Sequence, residues 1–176
     1  MRALIDAWWP MIERGEIEAI VMTASGCGST VKEYGHLLQH DPAYRDKAAR
    51  ISAMTRDLSE ILESDFIAEK KFKGRIAFQS PCSLQHGQQL RGNVEALLQQ
   101  AGYELAPVAD GHLCCGSAGT YSILQPELSS KLRERKLAAL SAGGAGTIAT
   151  ANIGCLSHLQ AGTRTPVLHW IELLDE

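Results

Sequence analysis

Five cysteines and a few histidines are the residues of this 176-residue chain whose types and spacing can do chemistry. The densest stretch is His112-Leu113-Cys114-Cys115-Gly116-Ser117-Ala118-Gly119. Cys82 lies upstream in Ser80-Pro81-Cys82, and Cys155 lies downstream in Gly154-Cys155-Leu156-Ser157-His158. Thiolates are soft donors that select zinc, copper(I) or iron-sulfur clusters over magnesium or calcium. Cys82, Cys114, Cys115, Cys155 and His158 are separated by 32, 1, 40 and 3 residues. That is neither the paired C-x2-4-C spacing of a zinc knuckle nor the close C-x2-C-x2-C run of a ferredoxin. Adjacent cysteines reach one tetrahedral ion only through a strained ring, whereas they ligate different metals of a polynuclear cluster with ease. The donor set therefore favours an iron-sulfur cluster over zinc. Gly116 and Gly119 supply the positive φ and the close backbone approach that such a loop calls for. His158, three residues after Cys155, shares a helix face with it; His112, His86 and His169 flank the same loops.

Other chemistries find little support. There is no phosphate-binding loop ending in Lys-Ser/Thr, no G-x-G-x-x-G and no C-x-x-C of a thiol-disulfide enzyme. A formal charge of -3 argues against nucleic acid as a partner. The basic runs Lys70 to Lys73 and Lys131 to Lys136 read as solvated faces. No run reaches the roughly 20 apolar residues of a membrane-spanning helix, and the start, Met1 to Trp9, lacks the marks of a signal peptide. The expected address is the cytoplasm, with peripheral association on the cytoplasmic face of the inner membrane left open.

Helix and strand signals alternate along the chain. Arg2 to Glu13 is an amphipathic helix interrupted or bent at Pro10, with Trp8 and Trp9 in need of a partner surface. A strand over Ile17 to Thr23 leads into Ser25-Gly26-Cys27-Gly28, followed by helices from about Ser29 to His40 and from Ala48 to Leu62. The second half reads as strands over residues 75–79, 103–108, 147–150 and 165–168. Between and after them come helices over 84–100 and 126–140, a loop or short helix over 154–159, and closing helical turns over 169–174. This pattern predicts an α/β fold with a mainly parallel sheet and flanking helices. Ligands of such sheets lie beyond the carboxyl ends of the strands, where Cys82, Cys114-Cys115 and Cys155 fall. The chain divides into residues 1–62, a linker over 63–73, and residues 74–176. Ile20 to Ser29 echoes Ile148 to Ser157: each is a strand, a turn of small residues, Gly-Cys and a helix start.

These residues resemble the cysteine-rich CCG domain, whose pattern is a cysteine, CCG after some 30 to 40 residues, and C-x-x-C after about as many again. The likeness is strongest to the C-terminal half of the glycolate oxidase (glycolate dehydrogenase) iron-sulfur subunit, and extends to the cysteine-rich subunit of heterodisulfide reductase. Residues 74–176 resemble a whole second CCG domain, and residues 1–62 the closing portion of a first copy. Cys82, Cys114, Cys115 and Cys155 match the family's cluster thiols. His158 stands where the pattern has its last cysteine, Thr30 does so in the first copy, and Cys27 is the first copy's counterpart of Cys155. The resemblance implies a 4Fe-4S-type cluster, cubane or noncubane, on Cys82, Cys114, Cys115, Cys155 and His158. It also implies a part in an electron relay from a flavin (FAD) subunit that oxidises glycolate to glyoxylate toward a quinone, in concert with other iron-sulfur regions of the subunit. No turnover is expected of this chain alone. The competing expectation is a zinc-holding or metal-free module that docks on an oxidoreductase partner.

Overall fold

The computed structural model describes residues 1–62 and 72–175. The chain forms two compact units, Met1–Ile61 and Leu62–Glu176. Most of the expected linker, residues 63–71, lies outside the described residues.

In the first unit, α1 (Arg2–Glu13) runs unbroken through Pro10. β1 (Ile20–Met22) and β2 (Thr55–Asp57) form a parallel pair with Ile20 opposite Thr55. Between them come α2 (Ser25–Lys32), α3 (Tyr34–Leu37) and α4 (Arg45–Met54), and α5 (Leu58–Ile61) follows. Ile5, Ile20, Val31, Tyr34, Leu38, Ala48 and Ile51 form the core, and Trp8 packs against it. Trp9 lies under the Lys47 ammonium, 5.4 Å from the ring centre, so α4 supplies part of the surface the two tryptophans require. The helix expected to continue to Leu62 stops at Met54. Thr55 turns its hydroxyl back onto the Ile51 carbonyl at 2.7 Å, and its backbone joins the ladder of β1. A β-branched residue with a strand to pair against forsakes the helical period. The helix after β1, α2, begins earlier than expected, at Ser25, so Cys27 sits in its first turn.

In the second unit, β3 (Gly74–Gln79), β4 (Tyr103–Leu105), β5 (Thr147–Thr150) and β6 (Val167–His169) form one sheet of order β4-β3-β5-β6. Each neighbouring pair is parallel, as the alternation of elements predicted. The connections are α6 (Asn93–Gln100), α7 (Tyr121–Leu124) with α8 (Pro126–Ser141), and α9 (Ile153–Gln160). After β4 the chain crosses back to β5 on the far side of β3, which puts a topological switch point between the ends of β3 and β5. There the Thr150 hydroxyl donates to Gln79 Oε1 at 2.7 Å, both residues buried, and Gln79 Nε2 donates to the Ser80 carbonyl at 3.0 Å. These bonds fix the floor on which the cysteine loops stand. β4 is shorter than expected: Ala106 N–H still reaches the Ile76 carbonyl at 2.8 Å, and Pro107, which has no N–H, ends the ladder. The helix expected over 84–100 is two pieces, a π-helical turn at Ser83–Gly87 and α6. The side chain of Gln85, in the first piece, bonds to the Ser80 and Gly111 carbonyls, which ties that turn to the neighbouring loops.

The echo between the halves exists in the backbone. Two residues separate β1 from α2 and β5 from α9, both helices are eight residues long, and Cys27 and Cys155 are each the third helical residue. Their N-cap residues, Ala24 and Asn152, are both extended. Each strand then pairs in parallel with the next one in sequence, with α3 and α4 as the extra elements of the first unit.

Candidate functional site: a series of four thiols

Three turns bring the cysteines of the second unit together. Cys82 follows β3, Cys114 and Cys115 lie in the long loop after β4, and Cys155 lies in the first turn of α9 after β5. All are free thiols. Hydrogen bonds join them in series: Cys82 to Cys114, Cys114 to Cys115, and Cys115 to Cys155. Cys82 and Cys114 are partly exposed, whereas Cys115 and Cys155 are 1% and 4% exposed and belong to the apolar core with Ala77, Leu140, Ile148 and Leu159.

The charge along the series is uneven. Hydrogen bonds from the Cys115 and Cys82 thiols, with a third from the Gly116 N–H at 3.3 Å, hold the Cys114 thiol far below its ordinary pKa. The same bond to Cys114, together with burial, pushes Cys82 up. Cys115 is raised by its bonds to Cys114 and Cys155 and by burial. Cys155 is lowered by Cys115 and, against the opposing effect of burial, by Asn152 Nδ2 at 3.5 Å. Cys114 and Cys155 are thus both held below the ordinary thiol range, and Cys114 has the additional donors.

The loop that presents Cys114 and Cys115 is held at both ends. Upstream, Gln85 Nε2 donates to the Gly111 carbonyl at 3.2 Å, and Lys136 Nζ donates to the carbonyls of Asp110 and Gly111 at 3.3 and 2.9 Å. Arg135 adds an ion pair to Asp110 at 2.9 Å. Downstream, the Ser129 hydroxyl, 1% exposed, donates to the Gly116 carbonyl at 2.8 Å. Its proton being used there, it accepts from His158 Nε2 at 3.2 Å. Gly116 has φ +96°, and a Cβ on it would lie 2.5 Å from the Ser129 carbonyl oxygen and 3.2 Å from His158 Nε2. Only glycine fits where α8 and α9 close on the loop.

Gln85, Ser129 and Lys136 are functional residues that the sequence reading missed. Lys136, placed there on a solvated face, is 2% exposed. The signal was its spacing: Ser129, Lys136, Leu137 and Leu140 form one helical stripe, and all are buried. Burial lowers the pKa of Lys136, opposed by the nearby thiols, Cys115 first among them.

The structure corrects the expected metal chemistry. Among the described residues, no group of three or more His, Cys, Asp or Glu side chains is arranged to hold a metal ion. The 4Fe-4S cluster, cubane or noncubane, and the zinc alternative expected on Cys82, Cys114, Cys115, Cys155 and His158 do not fit this arrangement, and the iron-sulfur relay built on them falls with the cluster. The physical reason lies in the donors. The thiols are already bonded to one another, and the sulfurs of Cys115 and Cys155 are packed into the hydrocarbon core. His158 spends Nε2 on Ser129 as a clamp on the loop. Cys27, exposed, belongs to the first unit. His86 Nε2 bonds the His112 carbonyl at 3.3 Å, and His169 Nδ1 accepts from the Ile171 N–H at the start of the closing 3-10 turn.

A short parallel sheet with cysteines beyond the carboxyl ends of three of its strands, and a Cys-Cys-Gly turn after β4, defines a class of protein. Residues 76–160 match the cysteine-rich domain family CCG. The chain is a CCG-domain protein related to the iron-sulfur subunits of glycolate oxidase. It is 49% identical over 174 residues to the glycolate oxidase iron-sulfur subunit of Escherichia coli, an alignment covering 98% of this chain and 42% of that protein. It is 34% identical over 152 residues to the probable glycolate oxidase iron-sulfur subunit of Bacillus subtilis, covering 84% and 34%. Lactate utilization protein A of Geobacillus thermodenitrificans is 28% identical over 187 residues, covering 99% and 73%. The chain thus spans less than half the length of the two glycolate oxidase relatives.

Proposed function

We propose that this chain is a metal-free interaction module of a glycolate-oxidase-like oxidoreductase assembly, docking on a flavin-containing dehydrogenase partner. Its contribution to electron transfer is then structural: it holds a partner in place and carries no redox metal on its thiols. Docking uses the sheet edge formed by the loops after β3, β4 and β5, with Cys82, Cys114, Cys115, Cys155 and His158 as its framework. Residues 1–62 and 74–176 act as a partial and a whole repeat of one domain, and the module works in the cytoplasm. The reading is carried by one observation: the family's four thiols are present, but they are bonded to one another in series, with no metal-holding group among the described residues. The 49% identity to a glycolate oxidase iron-sulfur subunit supports the choice of assembly.

The test is to co-express the chain with the flavin subunit of a glycolate dehydrogenase under anaerobic conditions, isolate the complex, and measure iron, acid-labile sulfide and zinc. The expected result is co-elution, with the same metal content whether Cys114 is present or replaced by alanine. Stoichiometric iron and sulfide lost with Cys114→Ala, or no complex at all, would sink the proposal.

A further inference from the structure

Between the carboxyl ends of β3 and β4 and the start of α6, the second unit holds a cavity of about 330 Å3, and none of the four thiols lines it. Small-molecule sites usually enclose about 300–1,000 Å3, so this one suits a ligand of amino-acid size and not a dinucleotide. Its apolar lining is Phe78 and Ala106, both buried, with Leu105 and Val108 half-buried. Three polar side chains share the lining, and each has bonding capacity unspent. Gln85 is 8% exposed; its Nε2 is used on the Ser80 and Gly111 carbonyls, while its Oε1 accepts nothing among the described residues. A buried amide oxygen without a donor is rare in folded proteins. Arg91 Nε donates to the Gln85 carbonyl at 3.0 Å, and its terminal nitrogens bond nothing among the described residues. Glu95, half-buried, has neither an ion pair nor a hydrogen bond among them.

The backbone explains why Arg91 and Glu95 stay apart. Four residues along one helix, they would face each other and pair. Gly92, the N-cap of α6 at φ +83°, breaks the helix between them and leaves both on the cavity. Gln85 sits in the π-helical turn, a rare conformation that recurs at functional sites. We propose that this cavity binds a free α-amino acid with an apolar side chain. The terminal nitrogens of Arg91 offer its carboxylate a forked pair of N–H donors. Its ammonium has three N–H groups to give, and the Glu95 carboxylate and Gln85 Oε1 are the waiting acceptors. Its side chain leaves water against Phe78, Leu105 and Val108. A ligand with only one of the two charges fits worse. A plain carboxylate leaves Gln85 Oε1 unmet and is repelled by Glu95, and a plain amine leaves Arg91 unanswered. This reading does not depend on the docking role proposed above.

The test is calorimetric titration of the full chain with L-leucine, with 4-methylpentanoate, which lacks the ammonium, and with 3-methylbutylamine, which lacks the carboxylate. The expected result is saturable binding of one leucine per chain, with each analogue weaker by about tenfold or more. Glu95→Gln should weaken leucine by about the same factor and leave 4-methylpentanoate as tight or tighter, because the repulsion is gone. Arg91→Ala should weaken leucine and 4-methylpentanoate and spare the amine. Both replaced side chains reach solvent, so the urea midpoints of the variants should match that of the wild type. No saturable leucine binding up to about 10 mM would overturn the proposal. So would analogues that bind as well as leucine, or a Glu95→Gln variant that binds leucine like the wild type, since the two charges would then be solvated surface groups only.

Discussion

Replacing Gly116 by alanine tests whether the turn after the two cysteines is as tightly specified as the geometry says. Two costs add. At φ +96° an L-residue is strained by about 1–2 kcal/mol. The new Cβ would also lie 2.5 Å from the Ser129 carbonyl oxygen and 3.0 Å from Leu132 Cβ. The first neighbour is backbone in the first turn of α8 and cannot swing aside, so overpacking adds about 1–3 kcal/mol. The sum, about 2–5 kcal/mol, is a large part of the 5–15 kcal/mol that usually separates folded from unfolded states. Gly119→Ala is the matched control: φ is +61°, and its Cβ would meet nothing within 4 Å, so only the strain of about 1–2 kcal/mol remains. Urea unfolding followed by Trp170 fluorescence measures both variants. Trp170 is 1% exposed in the second unit, and with Trp8 and Trp9 changed to phenylalanine it reports on that unit alone. At a slope of about 2 kcal/mol per molar urea, Gly116→Ala should lower the midpoint by about 1–2.5 M. If the two variants agree within about 0.5 kcal/mol, the usual error of such comparisons, the close approach of α8 contributes nothing and the reasoning fails.

Gln79→Leu and Thr150→Val should each cost about 1–3 kcal/mol by leaving a buried partner unpaired, while the double variant should cost less than their sum; strict additivity in a double-mutant cycle would deny the bond an energetic role. Lys136→Met should change global stability little, since it relieves a buried cation as it removes that cation's bonds, but amide exchange over residues 109–113 should quicken; unchanged protection would show that Lys136 does not hold the loop. The depressed thiol at Cys114 gives a signed pH effect. The unfolded thiol binds a proton up to about pH 8.5, whereas the folded thiolate does not, so the stability of the wild type relative to Cys114→Ser should fall as pH drops from there toward the folded pKa. A difference that stays flat in urea titrations across that range would remove the thiolate.

What the sequence makes legible here is whatever local pattern alone determines. The strands Arg75 to Gln79 and Thr147 to Thr150, the helix opened by Pro126, and the sharing of one sheet edge by Cys82, Cys114-Cys115 and Cys155 all follow from hydrophobic period and turn chemistry. Where two distant segments compete for the same backbone, local pattern misleads. Thr55 looks helical by period and becomes a strand because β1, 35 residues earlier, offers it a ladder. Lys136 looks solvated by type and is buried because the carbonyls of Asp110 and Gly111 need a donor. The metal expectation failed in the same way. Residue types and spacing say which groups are soft donors, not whether their lone pairs and protons are already committed. Here His158 is committed to Ser129, and Cys115 to both of its neighbours in the series. Gly116 shows the converse: its conformation is demanded by Ser129 and His158, residues 13 and 42 positions away, so a Cys-Cys-Gly turn carries in three letters the imprint of two helices that the local sequence cannot show.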